Sequence, residues 1–379
     1  MLGTIAAKGM GFRVYHMRFR EACHLLPSSG WSQRIFLASL IVVAVFAPPI
    51  SAHAQTFVLS GNGVTVTCDG VAVDATGDVG GVTYTKRDRA GIIDLLDDNE
   101  NNPLLETTCT SGVTDMSNLF ENRATFNQDI SSWDTSDVTN MNSMFKDAAA
   151  FNQSIVDWDV SLVTNGMAAM FQSATAFNQP LASWDVSNVS NMAGMFRGAT
   201  AFNQDLSGWV LTNLSSTGLW DVFQDATAFN GSLSGWISPT NSANVTTLVR
   251  SFEGATSFNQ DLSSWDTANV ESFEFLFDGA TSFDQNLSSW DVSSLERAAG
   301  MFKGVQLSYW NYDALLISWE AQIEQTGVTF DGGDSEYTTQ AKAKRDILTG
   351  TSNWVITDGG LNDWPVSENG IVGCPSVSN

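Results

Sequence analysis

A phenylalanine, a second phenylalanine six residues on, and a tryptophan seven residues after that recur along this chain with no change in spacing. The seven triplets are Phe120/Phe126/Trp133, Phe145/Phe151/Trp158, Phe171/Phe177/Trp184, Phe196/Phe202/Trp209, Phe223/Phe229/Trp236, Phe252/Phe258/Trp265 and Phe277/Phe283/Trp290. All length variation falls between a Trp and the next Phe, so the period runs from 25 to 29 residues. A period in this range marks a solenoid or array. One unit is too short to bury its own rings, whereas stacked neighbours bury each other's. A tryptophan-aspartate propeller is excluded, because its blade needs about 40 residues or more.

The expected fold is an α/β repeat solenoid of seven to eight coils, each with one short helix and one short parallel strand. In the second copy Val138, Met141, Met144, Phe145 and Ala148 are spaced by threes and fours, which predicts an amphipathic helix over 138–148 capped by Ser136 or Asp137. Around each Trp the pattern alternates, as in Trp158/Val160 and Trp184/Val186, which predicts a strand about 4.8 Å from its neighbour. After the second Phe stand Asn127, Asn152, Asn178, Asn203, Asn230 and Asn259, with Asp284 last. Such a column can bond backbone groups at a turn and tie one coil to the next.

Five regions follow. Residues 1–54 read as leader and signal peptide, 55–106 as an N-terminal cap, 107–310 as the repeat solenoid, 311–360 as an α/β C-terminal cap and 361–379 as an irregular tail. The leader reading rests on Arg34, an apolar run over 35–46, Pro48-Pro49 and Ala52-His53-Ala54 before Gln55. The alternative is an uncleaved anchor, although the run is short for a span. Met17 is a second candidate initiator. In the C-terminal cap Asn311 is expected to start a helix bearing Leu315, Leu316, Trp319 and Ile323.

Charge narrows the partners. The formal net charge is −24, and after residue 54 there are 12 basic and 40 acidic residues. This argues against nucleic acid and anionic lipid. His16, His24 and His53 are the three histidines, so a chain cleaved before Gln55 has no Ser-His-Asp site and no His-ligated metal. No cofactor motif is read. The sequence sets no oligomeric state.

Asp134, Asp159, Asp185, Asp266 and Asp291 follow the Trp in five copies and are expected to face outward. Calcium is one reading of this column, a solvated face the other; no calcium-loop motif accompanies it. The column is broken at Val210 and Ile237, in the two longest copies, which also carry Pro239, Asn241 and Asn244. Val210 and Ile237 are a candidate outward contact pair; the alternative is that these copies bulge and bury them. Trp220 lies one position off the apolar helix stripe and is a further contact candidate. Cys68 and Cys109 can join the N-terminal cap to the first repeat, leaving Cys374 over; three free thiols are the alternative.

Residues 184–204 read Trp-Asp-Val-Ser-Asn-Val-Ser-Asn-Met-Ala-Gly-Met-Phe-Arg-Gly-Ala-Thr-Ala-Phe-Asn-Gln. This phrase resembles the BspA-type leucine-rich repeat of bacterial surface proteins over about residues 107–310. Residues 82–86 and 107–116 resemble the lead-in of such proteins, and 311–317 and 354–360 their closing segment. The resemblance implies a right-handed leucine-rich-repeat-like fold in a secreted or surface-attached protein with an adhesive or host-interaction role, and no catalytic residues. No wall-sorting segment is read in the tail. The expected function is non-catalytic recognition of a protein or glycan on another surface. The alternative is a secreted carbohydrate-binding or carbohydrate-active protein using carboxylates alone.

Overall fold

A computed structural model describes residues 56–322 and 325–362. The leader, Cys23, Cys374, Ile323 and nearly all of the tail lie outside the described residues.

The Met-to-Phe segment of each copy is a run of tight turns, where a helix was expected. The cause is a pair of left-handed residues, two before and two after the first Phe. They are Asn118/Asn122, Ser143/Asp147, Ala169/Ser173, Gly194/Gly198, Asp221/Asp225, Arg250/Gly254, Phe275/Gly279 and Gly300/Gly304, each at positive φ. A positive φ every four residues breaks a right-handed helix. Alternate N–H groups then take different partners. Met144, Lys146 and Ala148 donate to the carbonyl three residues back, while Met141, Ser143, Phe145 and Asp147 donate to Gly166, Ala168, Met170 and Gln172 of the next copy. Each turn keeps its backbone satisfied by leaning on its neighbour. Met141, Met144, Phe145 and Ala148 are fully buried all the same. Spacings of three and four therefore describe this turn ladder as well as a helix.

No strand is assigned at the Trp positions either. There the link between copies is made by the indole. Trp133, Trp158, Trp184, Trp209, Trp236, Trp265 and Trp290 donate Nε1–H to Leu105, Ile130, Ile155, Leu181, Leu206, Leu233 and Leu262 carbonyls at 2.9–3.3 Å. The first phenylalanines form one file, with centroids 5.1–5.7 Å apart from Phe120 to Phe302. Within a copy the two Phe rings lie 3.9–4.1 Å apart. Each stacked pair adds about 0.5–1.5 kcal/mol beyond its burial.

The Asn column forms a second tie. Each Oδ1 accepts the backbone N–H of the next copy's residue, from Asn101–Asn127 through Asn178–Asn203 to Asn259–Asp284, at 2.7–3.0 Å. Gln179, Gln204, Gln260 and Gln285 add a side-chain donor to the same oxygens. The file ends on Asp284, whose carboxylate accepts Ser308 N–H, Ser308 Oγ–H and Asn311 Nδ2–H. Asn311 thus lies inside the helix it was expected to start.

The two flanking segments complete the ladder. Strands β1 (Val58–Leu59) and β2 (Val66–Thr67) pair antiparallel, as do β3 (Thr76–Val79) and β4 (Val82–Lys86); β5 (Thr108–Cys109) joins β4 in parallel. Helix α1 (Arg89–Asp98) is capped by Asp88 and buries Ile92 and Leu96. Arg89 donates to the Asp115 and Ser117 carbonyls, acceptors that the first copy has no earlier copy to fill. Cys68 and Cys109 are disulfide-bonded, with Cα atoms 6.4 Å apart. Beyond the repeats come α2 (Tyr309–Glu320), β6 (Thr329–Asp331), β7 (Glu336–Tyr337), α3 (Thr339–Gly350), β8 (Val355–Thr357) and β9 (Gly360–Leu361), with β6 parallel to β8 and β7 to β9. Ala298 and Phe302 donate to Thr329 and Asp331, which receive the last copy's N–H groups. Trp319 on α2 donates to Leu287 O and continues the indole file. Among the described residues no helix is long and apolar enough to cross a membrane.

Two predictions test these ties. Asn178→Ala removes the acceptor of Asn203 N–H and Gln204 Nε2–H, and should lower stability by about 2 kcal/mol at about 1 kcal/mol per bond; Asn178→Asp, which keeps the acceptor, should lose less in urea denaturation. Tyr312, buried on α2, donates to Asp358, which also receives Arg345. Burial, and then the Asp358 charge, push its phenol well above the ordinary value. Below about pH 10 the phenol is neutral in folded and unfolded chains; above it the unfolded chain ionises first, so stability falls as pH rises. Denaturation between about pH 9 and 11, around the ordinary phenol titration, should show a shallower fall for Tyr312→Phe than for the parent.

Candidate functional site

The repeat supplies its own control, because a position can be compared down the copies. Three residues before the first Phe stand Ser117, Asn142, Ala168 and Ala193, small or polar, then Trp220, Val249 and Glu274. One residue later, at the first left-handed position, stand Asn118, Ser143, Ala169 and Gly194, then Asp221, Arg250 and Phe275. Copies five to seven therefore replace an inert face with two aromatic rings, a guanidinium and two carboxylates.

These residues line an open groove of about 650 Å³. Thr217, Thr247, Glu271 and Arg297 also border it. The volume lies in the range of small-ligand sites, roughly 300–1,000 Å³. Trp220 keeps 41% of its surface exposed. Its Nε1–H donates to Thr247 Oγ1 at 3.3 Å, which fixes the ring's edge. Arg250 lies over the Phe275 ring, 5.1 Å from its centroid, and pairs with Glu253 at 3.1 Å. Arg297 pairs with Glu274 at 3.2 Å and Glu296 at 3.4 Å. Burial raises the Asp221 carboxyl above its ordinary range, opposed by the Arg197 and Arg250 charges.

The connections into these copies explain the opening. Most copy pairs begin their ladder four residues before the first Phe, as at Met192→Gly218 and Leu248→Ser272. Between copies five and six the first such rung is Asp221→Val249, one step later. The chain entering copy six is the longest, and includes a 3-10 turn over Ser242–Asn244. The missing rung falls at Leu219, next to Trp220, and the extra residues precede Thr247, to which Trp220 donates.

Backbone strain marks the same place. Phe275 has φ 56° and Arg250 φ 55°. A bulky side chain in the left-handed region is an outlier, costing about 1–2 kcal/mol. The Phe275 ring also lies against Gly300, where an added Cβ would collide with it. Strain of this kind clusters at functional sites.

The expected site residues fall in different places. Val210 is 56% exposed, but Ile237 is fully buried, so the outward pair does not form. Ile237 takes the inward place that Val160, Val186 and Val292 hold two residues after their Trp. The bulge is closed by Asn241, which accepts Ser238 N–H and donates to Trp236 O. The acidic column is not uniformly outward. Asp134 is buried and accepts the Ser111 hydroxyl. Each of the five carboxylates accepts the N–H two residues on: Asp134 from Ser136, Asp159 from Ser161, Asp185 from Ser187, Asp266 from Ala268 and Asp291 from Ser293. The Ser187 hydroxyl and then its N–H hold Asp185 below the ordinary carboxylate range. Among the described residues no group of three or more His, Cys, Asp or Glu is placed to hold a metal ion. Arg250 and Phe275 escaped sequence reading. Their signal was a large residue in a column otherwise filled by Asn, Ser, Ala, Gly and Asp.

A family model described as "Mycoplasma protein of unknown function, DUF285" matches residues 95–209, 157–240 and 212–314. These matches cover more than half of the chain, and the groove lies inside them. No curated protein and no solved structure matches.

Phe275 gives the test of strain. Phe275→Gly loses a cation–π contact of about 0.5–1 kcal/mol and adds roughly 0.5–1 kcal/mol of glycine entropy, but releases about 1–2 kcal/mol of left-handed strain. The half-buried ring's packing against Gly300 is lost as well, so Phe275→Gly should destabilise, but by less than Phe277→Ala, two residues on and fully buried, at about 3–5 kcal/mol. Paired urea denaturation curves measure both.

Proposed function

The chain belongs to the repeat family described as "Mycoplasma protein of unknown function, DUF285", and from that premise we propose that it is a non-catalytic recognition or adhesion scaffold. In this reading it is exported and secreted or held at a cell surface. Its repeats form a right-handed leucine-rich-repeat-like stack of the BspA type, and its ligand surface is the groove around Trp220.

One observation carries the reading. In copies five to seven, bulky aromatic and charged side chains stand where the earlier copies keep small or polar ones, two of them at unfavourable φ. An aromatic anchor ringed by polar groups is the usual make-up of a binding hot spot. Export is supported by the leader-like residues 34–54 and by the Cys68–Cys109 disulfide, a bond suited to oxidising compartments. A partner on another surface suits the acidic charge, which disfavours nucleic acid. The second reading is a carboxylate-based carbohydrate-active protein. Asp221, raised by burial in the same groove as Glu271 and Glu274, favours it.

A combined glycan and protein array separates them. The parent should give saturable binding that Trp220→Ala weakens at least tenfold with no change in melting temperature. Binding unaffected by the substitution would remove the groove from the reading, and shortened glycan products would establish the enzyme.

A further inference from the structure

The charge inside the groove differs from the charge around it. The chain as a whole carries −24. The groove itself holds Arg250 and Arg297 with Asp221, Glu271 and Glu274, nearly balanced. Both guanidinium groups are paired, Arg297 with Glu274 and Glu296, Arg250 with Glu253 and the Phe275 ring. A polyanion meets the repulsion of the whole surface. A polycation is drawn by that surface but meets Arg250 and Arg297 within the groove. A neutral ligand rich in hydroxyls escapes both objections. Its hydroxyls donate to carboxylates and accept from guanidinium N–H, so the mixed lining serves both halves of each hydroxyl.

Shape points the same way. The half-exposed Trp220 ring is flat and pinned by Thr247. Flat indole faces pack against the C–H face of a pyranose ring, while the ring's equatorial hydroxyls project sideways to polar groups. Asp221 follows Trp220 in sequence and borders the same groove. The copies crossing the groove are spaced by 5.7 and 5.5 Å along the phenylalanine file. Threonines and serine (Ser216, Thr217, Thr246 and Thr247) add uncharged donors and acceptors along one border. Hydroxyl pairs thus recur in two successive copies along that border, beside the one exposed indole of the groove.

We infer that the groove binds a short neutral oligosaccharide, with one pyranose ring on Trp220 and its hydroxyls held by Asp221, Arg250 and the bordering threonines. This inference rests on the groove being the ligand surface proposed above. It names the ligand class that the groove selects.

The test uses the full chain and an array of neutral oligosaccharides, followed by calorimetric titration of the best responder. Heparin and polylysine serve as charged probes. A neutral oligosaccharide should bind saturably, at least tenfold weaker in Trp220→Ala and Asp221→Ala and within about threefold in Trp220→Phe, which keeps an aromatic face. Trp310→Ala, which removes an exposed indole on α2 outside the groove, should leave binding unchanged. Melting temperatures exclude unfolding in each variant. If Trp220-dependent binding is found only for a protein, for heparin or for polylysine, the oligosaccharide inference is overturned and the groove stands. If no probe on either array depends on Trp220, both fall together.

Discussion

The structure depends on what a backbone must do when it is neither helix nor strand. In most copies alternate N–H groups from the Met onward close local turns or bond a side chain, and those between them have no partner except the carbonyls of the next copy. A buried amide cannot go unpaired without a cost of about 1–3 kcal/mol. The copies are therefore bound to stack in one register, with left-handed residues at two fixed positions. Those positions then select their side chains. Gly, Asn, Asp and Ser fill most of them because these residues tolerate positive φ, Gly by lacking a Cβ and Asn and Asp by local hydrogen bonding. The rigid Phe-to-Trp spacing follows, since any inserted residue would slide the rings out of their files.

How far this could be read from the sequence depended on which atoms carried the signal. The ring files were legible, because invariant spacing between aromatic residues leaves few ways to bury them. The Asn column was legible for the same reason, and its side chains bond the next copy as a column should. The local conformation was not. Met141, Met144, Phe145 and Ala148 have helical spacing, and burial alone cannot tell a helix from a turn ladder that returns to the core after three and four residues. The evidence against a helix lay between them, in Ser143 and Asp147 and their equivalents: residues that favour turns, recurring four apart in the middle of the supposed helix. Likewise, alternation at Trp158/Val160 implied a strand, although the indole N–H rather than a backbone ladder makes the link there.

The site was legible only in outline. The two longest copies and Trp220 stood out in the sequence. Ile237 was misplaced because no strand forms there, so alternation about the Trp does not decide which side chain is inside. Arg250 and Phe275 could not be recognised until the left-handed positions were known. Only then does a phenylalanine in that column become a conformational anomaly rather than another apolar residue.

Strain in one copy is tolerable in such a chain for a thermodynamic reason. Stability in a repeat array is a sum over units and their interfaces, so an interface losing a rung is held by its neighbours. Copies one to four, six and seven give a regular ladder; only the interface between copies five and six lacks its first rung, at Leu219. The caps cannot host such a gap, because Arg89 at one end and the Thr329 and Asp331 carbonyls at the other are committed to the ladder's terminal groups. An interior position between intact copies is where a groove can be opened at least risk to the fold, and there the long connections lie. The Arg250–Phe275 contact, at about 0.5–1 kcal/mol, offsets only part of about 1–2 kcal/mol of strain per residue, which is the physical case for proposing the groove, and not the regular acidic face, as the ligand surface.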